Sequence, residues 1–232
     1  MKIGIIGYTG FVGKTVFNWL KHSHTVIGIG HDVPDDNEFD VVVNCGGVSL
    51  KYLTNVQPGP AMFTEAVILR LIKELKFNKL IHVSTINAGD TSQYGQIKQL
   101  TIDCILKAYP NSYILKPAGL IGPGLKKNVV YDICKSLYVY NDLLSEYNFI
   151  TTHALAMIIT KLIDDDTVKY KVINVGASEP ISVDAISKLF DKPIENHGDI
   201  HEEYHVDIEK LLTFFTPRTS YEYLDEYKQN EL

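Results

Sequence analysis

The chain has few of the residues that mark secreted or membrane-spanning proteins. Its 232 residues include three cysteines and one tryptophan, and Cys45, Cys104 and Cys134 show no C-x-x-C spacing. An odd number of scattered cysteines argues against a disulfide framework and suits a reducing compartment. No run of 18 apolar residues occurs and no basic, apolar leader opens the chain, so we expect a soluble, cytoplasmic protein without membrane contact.

Positive charge is also scarce. The chain has 22 Lys and Arg against 28 Asp and Glu, which gives a formal net charge of −6. Because the basic residues form no block or stripe, nucleic acid is not an expected partner. The length suits one α/β domain with at most a small appendage.

Glycine is concentrated at one informative place, directly after the first predicted strand. Gly7, Gly10 and Gly13 follow the β-branched run that ends at Ile6, and an amphipathic helix follows them. A glycine turn between strand and helix lets a pyrophosphate approach the backbone N–H groups at the helix start. We therefore predict a dinucleotide site at this turn, with the alternative of a tight turn that binds nothing. Its cofactor contacts are predicted at Gly7, Thr9, Gly10, Phe11, Val12 and Gly13.

Strands and helices alternate through the first half of the chain, which predicts a Rossmann-like, doubly wound parallel α/β sheet. Strands are expected at 2–7, 25–29, 40–44, 80–84, 113–116 and 172–175, and helices at 11–21, 61–76, 94–108, 128–137 and 155–163. A loop is expected between the second and third strands, and residues 45–60 are expected to be irregular. We predict a dinucleotide-binding core over 1–117 and a small C-terminal, substrate-side portion over 118–232 that completes the sheet.

The strongest chemical signal is a tyrosine and a lysine four residues apart, Tyr94 and Lys98. At the start of a helix they share a face, so the ammonium group favours the ionised phenol and lowers its pKa. Ser84 and Thr85 end the fourth strand and place a hydroxyl at the same edge of the sheet. Tyr94 is thus a candidate proton donor and acceptor, and the alternative is a half-buried tyrosine beside a solvated lysine.

Together these motifs resemble the short-chain dehydrogenase/reductase superfamily, in particular its extended branch of nucleotide-sugar epimerases, dehydratases and reductases. The resemblance covers nearly the whole chain, in a shortened form. It depends on the glycine turn at 7–13, the third strand and its Gly-Gly at 39–47, Val-Ser-Thr at 83–85, Leu-Lys-Pro to Gly-Pro-Gly at 115–124, Asn-Val-Gly at 174–176 and the tail at 207–220.

The resemblance implies a role for each motif. Tyr94, Lys98, Thr85 and, as a helper, Ser84 would be catalytic, and Lys98 would also hold the nicotinamide ribose. Further cofactor contacts would come from His31, Cys45, Gly46, Gly47 and Pro117. The long helices at 61–76 and 94–108 would form a homodimer interface, since both carry apolar residues on more than one face.

The chain also departs from the family pattern. The segment that ends at His153 lacks the arginine that commonly contacts the nucleotide diphosphate, so Lys127 and Asn128 are the predicted substrate contacts. No acidic residue ends the second strand, where Gly30 and His31 stand instead, which favours NADP over NAD as the cofactor.

These observations predict an NAD(P)-dependent oxidoreductase or epimerase that acts on a small polar substrate, most of all a nucleotide-activated sugar. A non-catalytic dinucleotide-binding redox sensor or partner-binding module on the same fold is the alternative. A third reading, a zinc hydrolase, comes from His201-Glu202-Glu203-Tyr204-His205, which fits H-E-x-x-H, with His197 nearby. The neighbouring Pro193 and Gly198 disfavour the helix which that motif needs, so we predict no metal site.

Overall fold

The computed structural model describes residues 1–195 and 197–231 of the chain. The strands are β1 (Lys2–Ile6), β2 (Thr25–Ile29), β3 (Glu38–Asn44), β4 (Lys76–Val83), β5 (Tyr113–Pro117), β6 (Gly119–Ile121), β7 (Val139–Asn141), β8 (Glu146–Tyr147), β9 (Phe149–Thr151), β10 (Val172–Val175), β11 (Ile181–Ser182) and β12 (His197–Ile200). The helices are α1 (Phe11–Leu20), α2 (Lys51–Val56), α3 (Pro58–Glu74), α4 (Gln93–Ala108), α5 (Val129–Cys134), α6 (Thr152–Asp164), α7 (Val183–Phe190), α8 (Glu209–Leu212) and α9 (Ser220–Glu231).

The chain forms two compact units that alternate along the sequence. The first comprises Met1–Lys116 and Ala156–Ile173, and the second comprises Pro117–Leu155 and the chain from Asn174 on. The predicted division into 1–117 and 118–232 stays a prediction, and the first of these boundaries lies one residue before it. The chain returns to the first unit at Ala156, and a single cut through the sequence does not capture that return.

The six-stranded sheet has the order β10-β5-β4-β3-β1-β2. The pairs of β1 with β2 and β3, and of β4 with β3 and β5, are all parallel. This is the predicted doubly wound α/β fold. The order reverses between β1 and β3, and in open parallel sheets ligands bind beyond the carboxyl ends of the strands at such a point. The Gly7 turn follows β1 and the Gly46-Gly47 pair follows β3, so both predicted cofactor motifs flank this position.

Apolar runs explain why these strands lie inside. Ile3, Ile5, Val42, Val43 and Ile81 are fully buried, as expected for parallel strands covered on both faces. The helices contribute their predicted apolar stripes to the core of the first unit, which contains Ile68, Leu71, Ile72, Ile102 and Ile105. The loop predicted between β2 and β3 is confirmed, because no helix is found between Ile29 and Glu38.

The prediction that residues 45–60 are irregular was wrong for 51–56 and 58–60, which are helical. This segment contains α2, and α3 begins at Pro58 instead of Ala61. Proline at the first helical position has a suitable φ and lacks only an N–H group that would have no intrahelical partner, so Pro58 starts the helix. The other end of α3 was also misplaced, since β4 begins at Lys76, where Phe77 pairs with Phe39 of β3.

The second unit is built from short strand pairs and helices. Strand β6 pairs in parallel with β9, β11 pairs antiparallel with β8, and β12 pairs in parallel with β7. The sequence analysis missed α7 and α9, of which α9 is the more polar. Among the described residues, no helix has both the length and the apolar character needed to cross a bilayer.

Candidate active site

The glycine turn is shaped by close backbone contacts. Gly7 has φ +75°, and a Cβ there would lie 2.7 Å from the backbone of Gly46. A Cβ on Gly13 would overlap the carbonyl oxygen of Gly7. Gly10 is the N-cap of α1 and brings no side chain to the helix start. The backbone N–H groups of the first turn of α1 are therefore approachable, which is the arrangement that binds phosphate.

Four further predicted cofactor contacts belong to the glycine turn, to the start of α1 or to the loop after β2. Thr9 and His31 are exposed, whereas Phe11 and Val12 are half-buried. The sequence analysis overlooked Arg70 of α3, whose Nη2 donates to the carbonyl oxygen of His31 over 3.3 Å. The end of β2 thus has a guanidinium group beside it.

Tyr94 and Lys98 share one buried face of α4. Ser92 caps this helix by accepting from the N–H of Gly95 over 3.0 Å, and Asn55 of α2 accepts from the N–H of Tyr94 over 3.0 Å. Lys98 Nζ lies 5.9 Å from the centroid of the Tyr94 ring. A side-chain hydrogen bond from Thr85 lowers the pKa of the Tyr94 phenol. The structure thus brings together Thr85, Tyr94 and Lys98, the three principal predicted catalytic residues.

Lys98 has a partner that the sequence analysis missed. Its Nζ lies 2.5 Å from Oε1 of Glu65, and the two side chains are 5% and 4% exposed. The same oxygen accepts from the N–H of Val48 over 3.0 Å, and Thr101 donates to Oε2 of Glu65 over 3.3 Å. Glu65 belongs to the apolar face of α3, and no spacing signal in the sequence links it to Lys98.

The environment of Tyr94 corrects one expectation. Burial raises the pKa of Tyr94 to about 12, the Thr85 hydrogen bond lowers it, and the negative charges of Glu65 and Asp90 raise it further. We had expected Lys98 to lower this pKa. Burial is the largest cause of the raised pKa, and Glu65 pairs with Lys98 at 2.5 Å, so the phenol is the stable form of Tyr94 in this structure.

A buried histidine lies at the neighbouring strand end. His82 is fully buried and its Nδ1 is 2.7 Å from the amide Nδ2 of Asn44. Burial, and then the charge of Lys98, lower the pKa of His82 to about 3, so the ring is neutral. Within the described residues His82 Nε2 and the Ser84 hydroxyl are buried and have no hydrogen-bond partner.

The loop after β3 passes over the ion pair. Gly47 has φ +137°, and a Cβ there would lie 2.6 Å from Lys98 Nζ. Asn44 Oδ1 accepts from the N–H of Gly46 over 3.0 Å. Burial raises the pKa of the Cys45 thiol to about 12, which makes this cysteine an unreactive lining residue. Glycines at 7, 10, 13, 46 and 47 thus leave a cradle that side chains would fill, as a bound dinucleotide requires.

The remaining predicted site residues belong to the second unit. Pro117 is buried at the end of β5 and Lys127 is exposed. Asn128 caps α5, with Oδ1 accepting from the N–H of Tyr131 over 3.1 Å and Nδ2 donating to Leu120 over 3.2 Å. The amide of Asn128 therefore already has a structural task, and the substrate role of Lys127 and Asn128 stays a prediction.

The histidine motif does not form a zinc-protease helix. Residues 201–205 are not helical, and His201 contacts Asp142 over 3.0 Å and Glu203 over 3.2 Å. In the part of the chain that the structure describes, no group of three metal-ligating side chains comes together. The geometry which the zinc-hydrolase reading needs is not found there.

No family model matches the chain, and no curated protein matches it in sequence. Solved structures do match in fold. A UDP-N-acetylglucosamine 4-epimerase from Methanobrevibacter ruminantium, in complex with UDP-N-acetylmuramic acid, is 16% identical with a TM-score of 0.81 over 98% of this chain and 97% of that chain. A UDP-glucuronic acid 4-epimerase from Bacillus cereus, in complex with UDP-glucuronic acid and NAD, is 18% identical with a TM-score of 0.82 over 99% and 98%.

A third match is a UDP-glucose 4-epimerase from Thermotoga maritima with UDP-glucose, 17% identical with a TM-score of 0.79 over 99% of this chain and 98% of that chain. At such low identity the likeness concerns the fold. The resemblance predicted from the sequence motifs is confirmed at that level: the chain has the Rossmann-like α/β fold of these nucleotide-sugar epimerases.

Proposed function

We propose that the chain is an NAD(P)-dependent oxidoreductase or epimerase that acts on a carbonyl or hydroxyl group of a nucleotide-activated sugar. The observation that carries this proposal is the joint placement of Thr85, Tyr94 and Lys98 in the first unit, on the same unit as the glycine cradle. A dinucleotide-binding module without catalysis would not need a phenol, a hydroxyl and an ammonium group at one strand end.

Each of these side chains has a role in the proposed reaction. The Tyr94 phenol exchanges a proton with the substrate oxygen. Thr85, which lowers the pKa of that phenol through a hydrogen bond, helps to polarise the same substrate oxygen. Lys98 is buried beside Tyr94, where its ammonium group also serves the nicotinamide ribose. Ser84, whose buried hydroxyl has no partner among the described residues, is a further candidate donor.

A nicotinamide dinucleotide fits the cradle and, when bound, supplies or accepts the hydride. The turn at Gly7, Gly10 and Gly13 would hold its pyrophosphate, and the loop at Cys45, Gly46 and Gly47 would line the adenosine side. We propose a preference for NADP, because Arg70 lies beside His31 at the end of β2, where a 2′-phosphate would need a cation.

The substrate class is inferred from the fold and from the resemblance. The similar solved structures contain UDP-N-acetylmuramic acid, UDP-glucuronic acid or UDP-glucose, and we propose a nucleotide sugar here as well. We also propose a cytoplasmic location, because the three cysteines are free.

We further propose that the protein is a homodimer. Helices α2, α3 and α4 pack on one another in the first unit and leave large apolar side chains exposed, namely Tyr52, Leu53, Val56, Met62, Phe63 and Leu100. Exposed apolar side chains gathered on packed helices are typical of an interaction site. A second copy of the same helices is the occupant that the family resemblance favours.

The proposal is tested in two steps with the purified protein. Calorimetric titration with NADPH and with NADH should show binding of both, with NADPH the tighter ligand. A panel of nucleotide-linked keto-sugars should then contain a substrate that causes NADPH oxidation, followed optically. If neither dinucleotide binds, the function is wrong; binding without turnover of any keto-sugar or sugar would instead favour the non-catalytic sensor.

A further inference from the structure

The carboxylate of Glu65 accepts hydrogen bonds from two further groups besides its ion pair with Lys98. Glu65 and Lys98 are both buried. The carboxylate receives the Lys98 ammonium group, the Val48 N–H and the Thr101 hydroxyl. These three groups, two from α4 and one from the loop after β3, hold the carboxylate beside Gly47.

This contact changes the charge that Tyr94 experiences. A lone ammonium group about 6 Å from the ring would favour the phenolate. A buried pair of opposite charges has almost no net charge at that distance, because the two contributions oppose each other. Glu65 thus cancels the influence by which Lys98 would make Tyr94 a base.

We propose that Glu65 is a positioning residue that neutralises Lys98 and keeps Tyr94 as a proton donor, so that the site works as a carbonyl reductase. This inference rests on the proposed function for its substrate step. In that step the carbonyl carbon gains a hydride from the reduced nicotinamide and the carbonyl oxygen gains the phenolic proton of Tyr94. The products are an alcohol, the oxidised nicotinamide and a phenolate that regains its proton from water.

The other charged groups around Tyr94 agree with this assignment. Asp90, in the loop before α4, adds negative charge that raises the pKa of Tyr94. Lys51 of α2 lies 3.3 Å from Asp90 and offsets that charge in part. His82 of β4 is neutral, because burial lowers its pKa to about 3. Lys98 Nζ lies 5.9 Å from the centroid of the Tyr94 ring, and it is the cation that Glu65 pairs with.

The test follows Tyr94 directly and needs neither cofactor nor substrate. Tyrosine labelled with carbon-13 at Cζ is incorporated into the protein, and the Tyr94 signal is assigned by its loss in Tyr94→Phe. In the native protein this signal should remain that of a phenol beyond pH 10. In Glu65→Gln the titration midpoint should fall by about one to three pH units, because Lys98 then acts unopposed.

Matched variants separate charge from packing. Glu65→Gln combined with Lys98→Met removes both charges and should restore a midpoint near the native one. Glu74→Gln removes an exposed carboxylate from the same helix and should leave the midpoint unchanged. If Glu65→Gln does not fold, Glu65→Leu takes its place, because it removes the same charge without a buried amide, and it should lower the midpoint in the same direction. An unchanged midpoint in the folded Glu65 variant, or an equal fall in the double variant, would overturn the inference.

Activity supplies the second readout. Once a keto-sugar substrate is identified, the rate of carbonyl reduction by Glu65→Gln should fall at a lower pH than that of the native protein. The rate of alcohol oxidation by Glu65→Gln should rise near neutral pH. The two proposals fail separately: absence of any turnover leaves the titration result standing, whereas an active enzyme with an unshifted Tyr94 overturns only the role of Glu65.

Discussion

At residue 94, one oxygen atom decides between a catalytic and a structural tyrosine. Tyr94→Phe removes the phenolic oxygen and leaves the ring in its buried place. We expect the fold and the dinucleotide affinity to survive, while turnover of the identified substrate falls by about two to four powers of ten, the usual contribution of a positioned acid or base. Steady-state kinetics and calorimetry measure the two quantities.

The control for this substitution is Tyr109→Phe at the other end of α4, where the ring packs on Phe77. It removes the same atom from the residue that caps the C-terminal end of α4, and it should leave turnover unchanged. Full activity in Tyr94→Phe would mean that the likeness to the epimerases is one of fold alone.

His82 should make the protein lose stability in acid. An unfolded histidine binds a proton below about pH 6.5, whereas burial lowers the pKa of folded His82 to about 3. The unfolded state therefore gains protons first, and the contribution of this residue is complete above pH 6.5 and is lost as the pH falls toward 3. Between pH 7 and pH 5 the loss should be about 2 kcal/mol.

Urea unfolding at the two pH values measures that loss. His82→Gln should reduce the difference in unfolding free energy between pH 7 and pH 5 by about the same 2 kcal/mol, whereas His22→Gln, at an exposed site of the same unit, should not alter it. An equal pH dependence in native protein and His82→Gln would show that His82 can accept a proton in the fold.

Residue patterns located part of the site and missed the rest for a physical reason. Tyr94 and Lys98 were found because helix geometry ties residues four apart to one face. Glu65 contacts Lys98, which is 33 residues away in the sequence, and Arg70 contacts His31, which is 39 residues away. Both contacts depend on how α3 packs against other elements. A single sequence carries no sign of such distant contacts, so neither residue was predicted and the pKa of Tyr94 was expected to shift the wrong way.

At the scale of elements, the glycine turn and α1 are where cofactor binding can be separated from folding. Gly10 has φ −74°, which any residue adopts, and a Cβ there would lie 3.2 Å from the Gly7 carbonyl oxygen. Aspartate is a favoured N-cap residue, so Gly10→Asp should leave the melting temperature equal or slightly higher. Its negative charge against the pyrophosphate should weaken dinucleotide binding by about 100-fold or more.

The matched control is Gly59→Asp in the first turn of α3, where an added Cβ meets open space. Calorimetry on the two variants should show weak or absent binding only for Gly10→Asp. Native affinity in Gly10→Asp would contradict the cradle, and a large fall in melting temperature would show that the turn has only a structural role.

Elements whose pattern is periodic were predicted well, and those set by tertiary contacts were not. β2 and β10 have the predicted bounds, and α1 and α4 agree with the prediction to within one residue. Helix α2 has only six residues, and its apolar Tyr52, Leu53 and Val56 are exposed. So short a segment does not repeat an apolar spacing often enough to reveal a helix. The interleaving of the two units was likewise invisible, because nothing in the composition marks the return of the chain at Ala156.

For the whole molecule, the mass in solution tests whether the protein is the proposed homodimer. The exposed fractions of Tyr52, Phe63 and Val56 are 78%, 73% and 62%, and burying such side chains against a second copy would stabilise a dimer by about 1.5 to 3 kcal/mol for each large residue. Light scattering at micromolar concentration should therefore give twice the chain mass of 26.1 kDa.

Phe63→Glu places a charge in that surface and should weaken association by about 30-fold or more. Leu212→Glu, at a comparably exposed leucine of α8, should remain dimeric. A native protein that scatters as a single chain would contradict the interface, and it would leave the apolar surface of α2, α3 and α4 to a different partner.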